Sequence, residues 1–94
     1  MAAFDLVGRR WVLRIVWELH RGGRPLTFRE LRDACDDISS SVLTRRLHQL
    51  AETRITAHTG EGYELTATGQ GLVDSLRPML EWARAWDDEL ARGD

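Results

Sequence analysis

Apolar residues recur at helical spacing in several stretches of the chain, and alternate in one short region between them. Val12, Ile15, Val16 and Leu19 form one stripe, which predicts a first helix over 4–20 with Arg9, Arg10 and Arg14 on its other side. Arg21-Gly22-Gly23-Arg24-Pro25 ends that helix, because Gly supplies a left-handed cap and Pro forbids continuation. Thr27, followed three residues later by Glu30, is a capping box that opens a second helix over 27–35. Ser39-Ser40-Ser41 offers N-caps for a third helix over 39–53, whose Leu43, Leu47 and Leu50 fall at i, i+4 and i+7. Residues 55–59 and 63–65 then alternate as strands around Gly60-Glu61-Gly62, a hairpin over 55–65. Thr66 caps a last helix over 66–91.

The leucine stripe of the third helix decides what its opposite face can do. Successive residues step round a helix by about 100°, so Ser41, Arg45 and His48 lie opposite the leucines, with Thr44 and Gln49 beside them. Short hydroxyls, one Arg, one His and one Gln can hydrogen-bond to base edges. Two short helices joined in this way form a helix-turn-helix, the second being the recognition helix, and a hairpin directly after it is a wing. The expected fold is mainly α with a small β-hairpin: one winged helix-turn-helix domain over 1–94, with a three-helix core, a short wing and a long C-terminal dimerisation helix.

That last helix is about 36 Å long at 1.5 Å per residue, more than so small a core can cover. Leu72, Leu76, Met79, Ala83, Trp86 and Leu90 are spaced 4, 3, 4, 3 and 4 apart, a seam that seeks another helix and predicts a homodimer. Pro78 removes one backbone donor, so a kink is expected between Asp74 and Pro78.

Charge sharpens the picture once the chain is divided. The net charge is −2, yet residues 1–54 hold ten Arg against seven acids and residues 55–94 hold three Arg against eight. The helix-turn-helix half is the basic one, and the acidic half is expected to face away from phosphates. All thirteen basic residues are Arg, the residue that pairs in bidentate fashion with phosphate and guanine. Cys35 is the only cysteine, so no intrachain disulfide can form, and it reads as a small, partly buried filler. No apolar run is long enough for a membrane span and no signal segment precedes the first helix, which points to the cytoplasm. His20, His48, His58 and Cys35 lack metal-ligand spacing, so neither metal nor cofactor is expected. There is no nucleophile with a fixed base and no Gly-rich phosphate loop, which argues against an enzyme. Trp11, Trp17, Trp82 and Trp86 are expected in the core or the dimer seam, the alternative being an aromatic pocket for an unknown small-molecule effector.

Several segments together resemble the HxlR-type family of bacterial winged-helix transcriptional regulators. They are Leu6-Val7-Gly8-Arg9-Arg10-Trp11 with Ile15-Val16-Trp17-Glu18-Leu19, then Phe28-Arg29-Glu30-Leu31-Arg32, then Ile38-Ser39-Ser40-Ser41-Val42-Leu43-Thr44-Arg45-Arg46-Leu47, and finally Tyr63-Glu64-Leu65-Thr66-Ala67-Thr68-Gly69. The resemblance implies sequence-specific operator binding as a homodimer joined through the last helix and the N-terminal region. It implies regulation that is usually repression and sometimes activation, and a repressor is the expectation here. It places Ser40, Ser41, Thr44 and Arg45 at the major groove, and Arg46 at a basic position that reaches phosphate or braces the fold. Three features depart from the family pattern: the wing is short with Glu61 at its tip, Arg54 stands where the family usually has Gly, and no Cys precedes the first helix.

The expected DNA-facing set is therefore Ser40, Ser41, Thr44, Arg45, Arg46, His48 and Gln49 with Thr27, on double-stranded DNA, with half-sites about 34 Å apart on a pseudo-palindrome. The rival expectation is a winged helix that binds protein and does not read DNA, favoured by the acidic wing and the negative net charge.

Overall fold

The computed structural model describes residues 2–93. Along the chain run α1 (Ala2–Val7), α2 (Val12–Gly22), α3 (Phe28–Ala34), α4 (Ser40–Glu52), β1 (Thr56–Thr59), β2 (Gly62–Leu65) and α5 (Ala67–Ala91). Three helix starts are capped by hydroxyls. Thr27 accepts from the Glu30 amide while the Glu30 carboxylate accepts from the Thr27 amide, Ser39 accepts from Val42, and Thr66 accepts from Gly69. Arg24 bonds the same Glu30 carboxylate and, with the Thr27 amide, holds its pKa down to about 2.

The expected first helix over 4–20 is corrected: it is two helices, broken at Gly8–Trp11. The break is made by Trp11, whose φ of 77° lies in the left-handed region. A bulky residue there costs roughly 1–3 kcal/mol and persists only where the surroundings hold it. Here the break lets both Leu6 and Trp11 pack against the core. A continuous helix would carry Leu6 along the axis of α2 and away from it.

The core is one cluster: Val12, Ile15, Val16 and Leu19 of α2, Leu31 and Cys35, Leu43, Leu47 and Leu50 of α4, together with Leu26, Ile38, Ile55 and Val73. β1 and β2 pair antiparallel, Thr56 opposite Leu65 and Thr59 opposite Gly62. Leu26 adds a single bridge on the outer side, exchanging bonds of 2.9 and 2.7 Å with Tyr63. This bridge fixes Gly62, since a Cβ at its φ of 136° would overlap the Leu26 carbonyl. Pro78 lies inside α5 without ending it. Only Gly69 and Val73 of α5 are buried, so its second half projects beyond the core and the molecule measures 50 × 29 × 23 Å. Among the described residues no helix is long and apolar enough to cross a membrane.

Two glycines of α5 separate helix propensity from packing. Gly→Ala inside a helix ordinarily gains about 1 kcal/mol. At Gly69, however, the new methyl would drive into the Ile55 carbonyl, which is backbone already bonded by Thr66. At Gly71 nothing described beyond the adjoining residues and the helix's own backbone lies within 4 Å of the added methyl. Gly69→Ala is expected to lower stability by about 1–3 kcal/mol, and Gly71→Ala to raise it by up to about 1 kcal/mol. Urea unfolding of both variants at one protein concentration checks the opposite signs.

Candidate nucleic-acid interface

The side of α4 that faces outward is set from behind. Leu43, Leu47 and Leu50 are buried, which leaves Ser40, Ser41, Thr44, Arg45 and His48 exposed. The turn entering α4 is unusual: Asp36 and Asp37 are both left-handed, at φ 54° and 59°. Asp tolerates this region better than most residues. Two arginines pin the turn. Arg14 donates to the Ala34 carbonyl (2.8 Å), to Asp36 (3.1 Å) and to the buried Glu18 (2.9 Å), and Arg32 donates to the Ile38 carbonyl (2.9 Å). Arg14 therefore serves the protein's own turn, and Glu18 first, then Asp36, hold its pKa above the ordinary value.

The eight expected DNA-facing residues divide into two groups. Ser41 shares a hydrogen bond with Ser39 at 2.9 Å, His48 meets Glu52 at 2.8 Å, and Ser40 and Thr44 are exposed beside them. Arg45 is exposed, and among the described residues no ion pair holds it. The other three make bonds that hold the fold together. Thr27 caps α3, while Arg46 donates to the Arg10 carbonyl (3.0 Å) and to the Gln49 side chain (2.9 Å). Arg46 and Gln49 are both half-buried.

A groove of about 320 Å³ runs between α4 and the hairpin, with Thr44, Leu47, His48 and Ala51 on one wall, His58 and Tyr63 on the other, and Phe28 from α3. His58 and Tyr63 stack face to face, with ring centroids 4.1 Å apart. Sequence reasoning did not place His58, Tyr63 or Phe28 beside the recognition helix. The cross-strand register His58–Tyr63, which a two-residue turn at Gly60-Glu61 fixes, was the signal available for the stacked pair. Glu61 is exposed at the hairpin tip. Arg54, just after α4, is left-handed at φ 64°.

A solvent-exposed helix face of hydroxyls, Arg and His, on the second helix of a pinned helix-turn-helix with a hairpin at its side, is the geometry of a DNA-reading winged helix. The family model described as HxlR-like helix-turn-helix matches residues 6–91. The chain belongs to that family. HxlR-like proteins are DNA-binding transcriptional regulators, not enzymes. The chain is 31% identical to the uncharacterized HTH-type transcriptional regulator YvaP of Bacillus subtilis, over 92% of this chain and 84% of that protein. Among solved structures it is similar to a possible HxlR family transcriptional factor from Thermoplasma volcanium, with TM-score 0.80, 27% identity, and 90% of this chain and 81% of that one covered. It is also similar to quinone-bound YodB of B. subtilis, with TM-score 0.74, 30% identity, and 94% and 93% covered.

Against that HxlR-like background, Cys35 is placed away from reagents. It is fully buried in the core, and burial pushes its thiol pKa up to about 11. The thiolate is the reactive species, so the native chain is expected to label with a disulfide reagent at pH 7.5 far more slowly than the chain in denaturant. Rapid stoichiometric labelling of the folded chain would contradict this placement. The four tryptophans form no common cage among the described residues: Trp11 and Trp17 pack on the core, while Trp82 and Trp86 stack 5.3 Å apart on exposed α5.

Proposed function

We propose that the chain is a cytoplasmic repressor that binds a pseudo-palindromic operator as a homodimer, joined through the projecting half of α5. The observation that carries the proposal is the exposed face of α4, where Arg45 stands without an ion-pair partner among the described residues, beside Ser40, Ser41, Thr44 and His48. In this reading those five side chains contact bases or nearby phosphates, and Thr27 lies at the flank of the contact. The acidic hairpin tip stays out of the minor groove, because the Glu61 carboxylate would repel phosphate.

Support for the homodimer comes from α5. Met79, Trp82, Trp86 and Leu90 are 47–61% exposed along one side of the helix, an apolar strip that a single copy leaves in water. Trp82 joins the seam expected from Leu72, Leu76, Met79, Ala83, Trp86 and Leu90, whereas Leu72 packs against the protein's own core. Two copies clasped along this strip would present their recognition helices to successive major grooves about 34 Å apart.

Operator binding tests the reading. Arg45→Ala is expected to cost about 1–3 kcal/mol of operator affinity, and to reduce the steepness of the salt dependence if Arg45 meets phosphate. Unchanged affinity would remove Arg45 from the interface. Replacing Trp82 and Trp86 together by Ser is expected to convert the dimer to monomer in sedimentation and to weaken operator binding, since two half-sites would no longer be engaged together. A double variant that stays dimeric would place the subunit contact elsewhere.

A further inference from the structure

Arg46 sits in the recognition helix, directly after Arg45, but the two guanidinium groups do different things. The Arg46 Nε–H points back into the protein and meets the carbonyl of Arg10 at 3.0 Å, a residue 36 positions earlier in the chain. Its Nη1 meets the Gln49 side-chain oxygen one turn along α4, at 2.9 Å. The carbonyl that it holds belongs to the broken segment between α1 and α2, immediately before the left-handed Trp11. A continuous helix through this point would direct the Arg10 carbonyl along the helix axis to the amide four residues on. The break frees that carbonyl, and Arg46 takes it.

We propose that Arg46 is a positioning residue: it fixes the roll and height of the recognition helix against the α1–α2 turn and does not itself read DNA. This rests on the DNA-binding reading above, and it assigns operator recognition partly to a bond made outside the interface. The bond at Nε sets the test. Glutamine carries a side-chain N–H donor the same number of bonds from the backbone as the arginine Nε, but no charge. Lysine keeps the charge and extends further, but has no donor at that position.

The measurement is operator and non-operator binding of the full chain across a salt series, for the wild type, Arg46→Gln and Arg46→Lys, with a thermal melt of each. If Arg46 positions the helix, Arg46→Gln keeps the operator preference within about twofold, and Arg46→Lys reduces it about tenfold or more. Both then retain the wild-type salt slope. Loss of preference in both variants at unchanged slope is the signature of a bidentate base contact and overturns the proposal. If Arg46 instead contacts phosphate, Arg46→Lys behaves as the wild type and Arg46→Gln flattens the slope by about 0.9. Either of those results overturns the proposal, as does a wild-type preference in both variants. Melting changes alone do not mimic the expected result, because lowered stability does not alter the ratio of operator to non-operator affinity within the folded population. A wild-type chain with no salt-dependent affinity for DNA would sink the DNA-binding reading instead.

Discussion

Burial of Leu43, Leu47 and Leu50 on one side of α4 is the constraint from which its outward face follows. Each of these side chains stabilises the fold by roughly 1.5–3 kcal/mol when fully removed from water. Rolling the helix by one residue, about 100°, would expose the stripe and draw Ser or Arg inward. No gain at the surface could offset that. The chemistry of the outward face is thus chosen by what lies beneath it, and the polar residues there need only present hydrogen-bonding groups to solvent. Arg45 meets that requirement where Arg46, one position on, does not.

Around that helix the fold accepts locally unfavourable backbone where it obtains a specific shape. Trp11, Asp36, Asp37 and Arg54 are all left-handed without being Gly, and each sits at the entry to or exit from a helix of the core. Trp11 stands at the entry to α2, after the break that follows α1; the two aspartates turn the chain between α3 and α4; Arg54 turns it from α4 into the hairpin. The compensation is visible at two of them. Arg14 gathers Glu18, Asp36 and the Ala34 carbonyl, and Arg46 takes up the carbonyl beside Trp11. Arginine is suited to such bridging because its fork carries five donors in fixed geometry.

The capped helices and the leucine stripe were legible from sequence because their signals are local: hydroxyl N-caps and residues three and four apart. The exposure of Ser41, Thr44, Arg45 and His48 followed from the same periodicity, which also put Gln49 there although it is half-buried, while Ser40 came from the family resemblance. What local signals could not carry was anything decided by distant neighbours. Residues 4–20 have the period of one helix, and the break at Trp11 arises from packing against a core that forms only when the other helices are present. The Arg46–Arg10 bond and the Leu26–Tyr63 bridge join residues more than 30 positions apart. Periodicity put Arg45 opposite the leucines but left Arg46 between reaching phosphate and bracing the fold, and the freed Arg10 carbonyl distinguishes the two. Trp82 is missing from the 3.5-residue repeat for a related reason, although it stands exposed on α5 beside Trp86. A strict 3.5-residue repeat selects Ala83, whereas on an unsupported helix the neighbouring indole lies on the same broad exposed side.

The hairpin is held against Leu26 up to its last strand pair and is open only at its two-residue tip. Gly62 is pressed against the Leu26 carbonyl and could not be replaced without moving that strand, while at Gly60 nothing described beyond the adjoining residues comes within 4 Å of an added methyl. Lengthening the loop between Thr59 and Gly62 would therefore leave the core undisturbed, and each doubling of such a loop costs only about 0.6 kcal/mol of closure entropy. The tip is thus a graft point. A longer, arginine-bearing arm could be installed there without redesigning the scaffold.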